Sequence, residues 1–283
     1  QQEMVRGLPL LQQVTQVCDG CLLGKQRRAA FPAQSKYCAN EHLVLVHGDL
    51  CRPIEPARPA GNRYFLLLVD DMSRYMWLTL IRSKDEAANA IKHFQARAEV
   101  ETGRKLHALR TDRGGEFTSI KFGEYYANLG VGRKLTAPYS PQQNEVVERR
   151  NQTIVATAHS MMKAKRVPGR FWGEAMSTTV FLLNRSPKKS LDNQTPYEAW
   201  YGQRPAVHFL RTFGCMGHVK ITKPGLKKLN DRSVPMVLLG YEEGSKAYRL
   251  YDPVSERVHV SRDVVFDEDA CHILIFVSGF INY

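Results

Sequence analysis

The sequence predicts an α/β fold, a mixed sheet flanked by helices, followed by a small β-barrel. Three observations carry this expectation. Compact β-prone runs succeed one another at L-V-L-V-H-G-D-L (43–50), R-Y-F-L-L-L-V-D-D (63–71) and Y-M-W-L-T-L-I (75–81) before any helical period begins. A helical segment over 83–100 is then followed by a return to strand at L-H-A-L-R-T-D (106–112), an order that suits a sheet covered by helices and not a helical bundle. Beyond residue 206 only short strands separated by turns remain.

Each later element has its own signal. Residues 119–129 read as helix and 131–136 as a short strand, and A-P-Y-S-P-Q-Q-N is a turn-rich approach to a long helix over 144–165. That helix places Val147, Asn151, Ile154, Val155, Ala158 and Met162 on one side. F-W-G-E-A-M-S-T-T-V-F-L-L-N predicts a helix over 169–184, and Trp172, Trp200, Phe209 and Phe213 read as core. T-P-Y-E (195–198) combines a Thr cap, a first-turn Pro and a Glu three residues after the cap. C-M-G-H-V-K-I, V-P-M-V-L-L-G-Y and Y-R-L-Y-D-P-V-S-E-R-V-H-V are the strands of the barrel, the last carrying a D-P hairpin signal.

A hydrophobic fraction of 43% is enough for a buried core, and no segment has the depleted hydrophobicity of a disordered chain. Forty Lys and Arg against 28 Asp and Glu leave a net charge of +12, which favours a polyanionic partner. The basic clusters at Lys25 to Arg28, Arg149 and Arg150, Lys163 to Arg170, Lys188 and Lys189, and Lys220 to Lys228 are spread along the chain. Singly each suits a solvated face; together they suggest a broad nucleic-acid footprint. Six cysteines in a chain of this size argue against a disulfide framework. No apolar run reaches the roughly 20 residues needed to span a bilayer, so an intracellular location and no membrane partner are expected.

Asp49 ends one strand, Asp112 ends another and Glu148 sits on the long helix. Hard divalent cations take oxygen ligands, and a pair of them can activate a hydroxyl and stabilise the leaving oxygen of an in-line phosphoryl displacement. A lone Asp after a strand is usually a turn residue, so the reading rests on the three together. Asp70 and Asp71 compete because they too end a strand; Glu116 and Glu145 are weaker competitors.

Thirty-five residues separate Asp112 from Glu148. The segments H-G-D-L-C-R-P, Y-F-L-L-L-V-D-D-M-S-R-Y-M-W, L-R-T-D-R-G-G-E-F and A-P-Y-S-P-Q-Q-N-E-V-V-E-R-R-N-Q-T-I resemble the core of copia-type LTR retrotransposon integrases, including their D, D-35-E pattern. The resemblance runs from about residue 4 to 268. It implies a ribonuclease-H-like catalytic core over 34–206 and an SH3-like β-barrel over 207–268. It further implies that Asp49, Asp112 and Glu148 are catalytic metal ligands for Mg2+, or Mn2+ in its place, in a polynucleotidyl transferase. Asp70 and Asp71 then fall on a neighbouring strand, outside the triad. The family has Gly where Glu145 stands, a residue that allows backbone angles Glu disfavours.

C-D-G-C (18–21) resembles the second half of the family's His-His-Cys-Cys zinc module, which makes 1–33 its remnant. Cys18 and Cys21 supply two of four tetrahedral ligands, and no His precedes them, so Zn2+ would need ligands from further upstream. Residues 269–283 form an atypical tail that no longer resembles the family. Arg149, Arg150, Asn151 and Gln152 on the long helix, with Lys163 and Lys165, are the expected DNA contacts, set against plain solvent exposure and, for Asn151, ordinary packing. The resemblance implies element ends and target DNA as partners, a homo-oligomer, and action in the nucleus. Two rivals stay open: a degenerate fragment that binds nucleic acid without chemistry, and a ribonuclease H.

Overall fold

The computed structural model describes residues 38–269 except 52, 58, 59, 113, 136–144 and 223–226. The expected zinc remnant with Cys18 and Cys21 and the tail from 270 lie outside the described residues. The chain divides into two compact units, the first holding described residues 38–155 and 180–208, the second 156–179 and 209–269.

The first unit is built on strands β1 (Val46–Leu50), β2 (Tyr64–Asp70), β3 (Met76–Ile81), β4 (Ala108–Thr111) and β5 (Gly132–Leu135), in the order β3-β2-β1-β4-β5. The first three form an antiparallel meander; β1 to β4 and β4 to β5 are parallel. This mixed sheet matches the expected α/β class. Strand ends fall within three residues of the expected ones, because the outermost residues of each apolar run serve turns.

Alternation assigns the two faces. Val46, Leu66 and Leu68 point toward α1 (Ala87–Thr102), which contributes Ile91, Phe94 and Ala98, and α3 (Ile120–Asn128), which contributes Phe122 and Tyr126. Gly48 shares this face: a Cβ there would stand 3.0 Å from Leu68 Cδ2 and 3.3 Å from Thr111 Cγ2, so the neighbouring side chains close over its bare backbone. Phe65, Leu67 and Val69 bury the opposite face. There Asn184, the last residue of α5 (Trp172–Asn184), donates to Met76 O at 2.8 Å and accepts from Met76 N at 3.0 Å.

The helical run from 83 resolves into a single 3-10 turn, Lys84–Glu86, before α1, and a short helix α2 (Gly115–Thr118) precedes α3. The cap expected at T-P-Y-E is present: Thr195 Oγ1 accepts from Glu198 N at 3.0 Å, with Pro196 opening α6 (Pro196–Tyr201). Its Trp200 donates to Glu101 Oε2 at 3.2 Å and packs edge-on against Trp77, with ring centres 4.7 Å apart. Tyr75 stacks on the same indole.

The long helix α4 (Glu145–Ala164) buries Val147, Asn151, Ile154, Ala158 and Met162 as expected, while Val155 is exposed at the border of the stripe. The second unit carries strands β6 (Met216–Lys220), β7 (Ser233–Tyr241), β8 (Tyr248–Asp252), β9 (Arg257–Ser261) and β10 (Val264–Asp267). They form an antiparallel sheet ordered β10-β6-β7-β8-β9 around Val219, Met236 and Leu250. The D-P signal is the β8–β9 turn, where the Asp252 carboxylate accepts from Val254 N and Ser255 Oγ. Trp172 and Phe213 are buried, as expected of core, and Phe209 is half-buried.

Candidate active site

Strand pairing decides where the first two acids fall. In the parallel β1–β4 ladder Val46 pairs with Leu109 and His47 with Arg110. Continued two residues along, that register sets Asp49 level with Asp112, on the face opposite the Gly48 face. The main chain leaves the sheet directly after Thr111, and Asp112 Oδ1 accepts from Gly114 N at 3.0 Å.

The third acid comes from α4. Asn151 is buried, and its amide Nδ2 donates to Asp49 Oδ2. Glu148 lies one turn earlier on the same helix. Burial pushes the Asp49 carboxyl up to about 6; the Asn151 hydrogen bond works against the rise, and the charges of Asp112 and Glu148 add to it. The charges of Asp112 and Glu148 therefore both reach Asp49, which is half-buried. As the side chains stand, no three His, Cys, Asp or Glu among the described residues are grouped closely enough to hold a metal ion. Carboxylates repel one another where no cation lies between them.

The competing acids are consumed by the fold. Asp70 is fully buried and accepts from Leu43 N, Ser73 N and Ser73 Oγ at 2.7 to 2.9 Å, which fixes the β2–β3 turn. Asp71 accepts from Ala39 N and Arg74 Nη1 and pairs with His47 Nε2 at 3.0 Å. Burial raises its carboxyl, but these hydrogen bonds and the Arg74 charge hold it below the usual carboxylate range. The side chains of Glu116 and Glu145 lie outside the described residues; the backbone of Glu145 opens α4.

The expected DNA contacts fall in both units. Arg149 and Gln152 are exposed and Arg150 half-buried on α4 of the first unit, whereas Lys163 and Lys165 belong to the second. Lys165 Nζ donates to Glu268 O at 2.6 Å. Asn151, engaged with Asp49, faces inward.

An integrase core domain matches residues 39–141, and a retroviral polymerase SH3-like domain matches 215–273. The retrovirus-related Pol polyprotein of transposon TNT 1-94 from Nicotiana tabacum is 42% identical over 251 residues, 89% of this chain and 19% of that polyprotein. The chain is similar to retrotransposon Pol polyproteins over a stretch that carries an integrase core match and a retroviral SH3-like match. Pol polyproteins of transposons RE1 and RE2 from Arabidopsis thaliana are each 28% identical over 89% of the chain and 17% of their own length. The chain thus spans less than a fifth of the curated relatives it matches. A chain of the simian T-cell lymphotropic virus intasome, solved by cryo-electron microscopy with the PP2A regulatory subunit B56 gamma, shares the fold. Its TM-score is 0.50 at 19% identity, covering 90% of this chain and 88% of that one. The mixed α/β class and the SH3-like C-terminal module expected from the sequence are both present.

Asp49 and Asp112 lie within the matched integrase core, and Glu148 lies just beyond it. Asn151 enters the site as the partner of Asp49, a contact that its spacing on the helix does not signal. Sequence reasoning missed the burial of Lys188, for which a Lys-Lys pair gives no signal at all.

Proposed function

We propose that the first unit is a metal-dependent polynucleotidyl transferase that trims the 3′ ends of element DNA and joins them to target DNA. One observation carries the reading: the Asn151 amide donates to the half-buried Asp49 carboxylate and so ties the helix of Glu148 to the strand of Asp49, whose carboxyl the charges of Asp112 and Glu148 help to raise. Burial in company with two other acids costs free energy that a divalent cation offsets. An all-carboxylate donor set fits Mg2+ or Mn2+, and Asp49, Asp112 and Glu148 would hold it. When bound, such ions supply Lewis-acid activation of a water or 3′-hydroxyl and stabilisation of the departing oxygen.

The chain's own residues set the geometry. Asn151 orients Asp49 through its amide, and the parallel ladder keeps Asp112 beside it. Arg149, Arg150 and Gln152 lie on the helix that carries Glu148, where they would hold phosphates and leave bases unread. Phosphate contacts without base contacts suit insertion into many targets. Element and chromosomal DNA as substrates imply action in the nucleus, and joining two ends at once implies a multimer. Zn2+ would bind Cys18 and Cys21 only with histidines from upstream sequence. The core spans 34–206 and the SH3-like module 207–268 in this reading, with 1–33 the zinc remnant and 269–283 an appended tail.

A second reading, a unit that holds DNA without chemistry, is motivated by Glu145, which stands where the resemblance implies Gly. A strand-transfer assay separates the two. The parent is expected to join duplex ends with Mg2+ and not with chelator, and Asp112→Asn is expected to fall to background while its circular dichroism matches the parent. DNA binding by the parent with no joining in any divalent ion would establish the second reading.

A further inference from the structure

The first unit also gathers positive charge at a place apart from the acids. Lys188 follows α5 and is 9% exposed, and among the described residues its Nζ is buried without a hydrogen-bond partner. The backbone around it is tightly pinned: Lys188 N donates to Gln194 O, and Lys188 O accepts from Leu191 N and Asn193 N, all at 3.0 to 3.1 Å. The side chain is therefore presented by a closed loop. The charges of two guanidinium groups, Arg150 and Arg74, reach it. Arg74 sits in the β2–β3 turn with a left-handed φ of 58°, its Nη1 on Asp71 Oδ1 at 2.8 Å. Arg150 is the other, half-buried on α4.

Like charges brought together away from water are unfavourable unless an anion joins them. Asp71, the partner of Arg74, is already shared by Arg74, His47 and Ala39 N. Burial, and then the charges of Arg150 and Arg74, push the Lys188 amine down to about 7. That response is what a lysine shows when its counter-ion is missing. Two guanidinium forks and an ammonium are also the donor set that suits phosphate oxygens.

We propose that Lys188, Arg150 and Arg74 form a second phosphate site, which holds a backbone phosphodiester of the DNA whose end is worked at Asp49, Asp112 and Glu148. The proposal rests on the strand-transfer reading above for the identity of the polyanion. α4 ties the two sites together: Arg150 lies two residues after Glu148, about 3 Å along the axis, and the two flank the buried stripe on opposite sides, about 160° apart. A duplex crossing this part of the helix would meet both. The acids would take the reacting phosphate, and the cations one beside it.

The test uses the full chain carrying Asp112→Asn, so that DNA is bound and not consumed, and compares Lys188→Gln, Lys188→Met and Lys188→Arg by duplex titration from 50 to 200 mM salt. Loss of one phosphate contact is expected to lower affinity about fivefold to tenfold and to reduce the slope of log affinity against log salt by about one. The Gln and Met variants should show both changes, and the Arg variant should bind within about twofold of its parent. Inorganic phosphate should raise the melting temperature of the parent more than that of Lys188→Gln; a single-stranded RNA and an acidic peptide serve as alternative polyanions. Unchanged duplex affinity and slope in a folded Gln or Met variant would overturn the proposal. So would a loss confined to RNA or peptide, or failure of both uncharged variants to fold, since the charge would then serve the fold. End joining by the chain without Asp112→Asn is scored separately, so the phosphate site and the strand-transfer reading can fail independently.

Discussion

At the scale of single residues, Asp49 and Lys188 are both held in protonation equilibria that the fold has displaced. Asp49 is raised from 3.8 to about 6, so the folded protein binds its proton more tightly than the unfolded chain does. The sign follows from linkage: with chelator present, this group makes the protein less stable as pH rises from about 4 through about 6. Protons and divalent cations also compete for the same carboxylate. Melting curves at pH 5 and pH 7.5 should therefore show a larger stabilisation by Mg2+ at the higher pH, and equal shifts at both would contradict the role given to Asp49. Lys188 is displaced the other way, from 10.5 to about 7. Its contribution to stability rises with pH between those values, because there the unfolded chain carries the extra proton. Replacement by Met should accordingly raise the melting temperature at pH 6, where the buried ammonium is fully charged.

Asn151→Ala should leave the fold in place, lower strand transfer more than tenfold and move the Asp49 carboxyl higher still, readable by NMR titration, because the amide that favours the ionised form is gone. Asp49 and Asp112 were legible in the sequence, since acids that end β-prone runs stand out. Asn151 was not, because its spacing from Val147 and Ile154 reads as core and a helical period does not reveal what an inward amide touches. Lys188 was hidden for the opposite reason: Lys-Lys in a turn has the signature of solvent exposure, whereas the folded side chain is buried.

At the scale of elements, local chemistry and periodicity were reliable guides. The T-P-Y-E cap formed as its residues dictate, and because Thr195 is fully buried, Thr195→Ala leaves Glu198 N without an acceptor. The expected cost is about 1 kcal/mol, measured by denaturant unfolding. Alternation located the strands, and the face rule assigned the core. What periodicity could not supply was pairing: β4 adds to β1 in parallel, with His47 opposite Arg110, a long-range choice with no local signature. The 3-10 turn at Lys84–Glu86 was equally invisible, since a helix and its tighter first turn share one apolar period. Gly48 gives a test of the close packing between β1 and its neighbours. Gly48→Val crowds Leu68 and Thr111 and should destabilise the fold by about 1 to 3 kcal/mol, against little loss for an alanine substitution at exposed Val100.

At the scale of the whole molecule, the charge of +12 is set against a site that turns on three acids. An excess of this kind draws the chain to DNA by releasing counter-ions, and the attraction weakens steeply as salt rises. Duplex affinity should fall at least about tenfold between 50 and 200 mM salt, with little difference among duplex sequences. Base-specific affinity that persists at high salt would contradict a contact set dominated by phosphates.

The indole pair of the first unit offers a spectroscopic handle. The chain has three tryptophans, and Trp77 and Trp200 stand 4.7 Å apart at a steep angle while Trp172 belongs to the second unit. Two such chromophores at contact distance couple their transitions, so they give a paired circular-dichroism band that vanishes once α6 leaves the sheet. With Trp172→Phe, emission would come from the first unit alone, and its melting could be followed in the intact chain without a label.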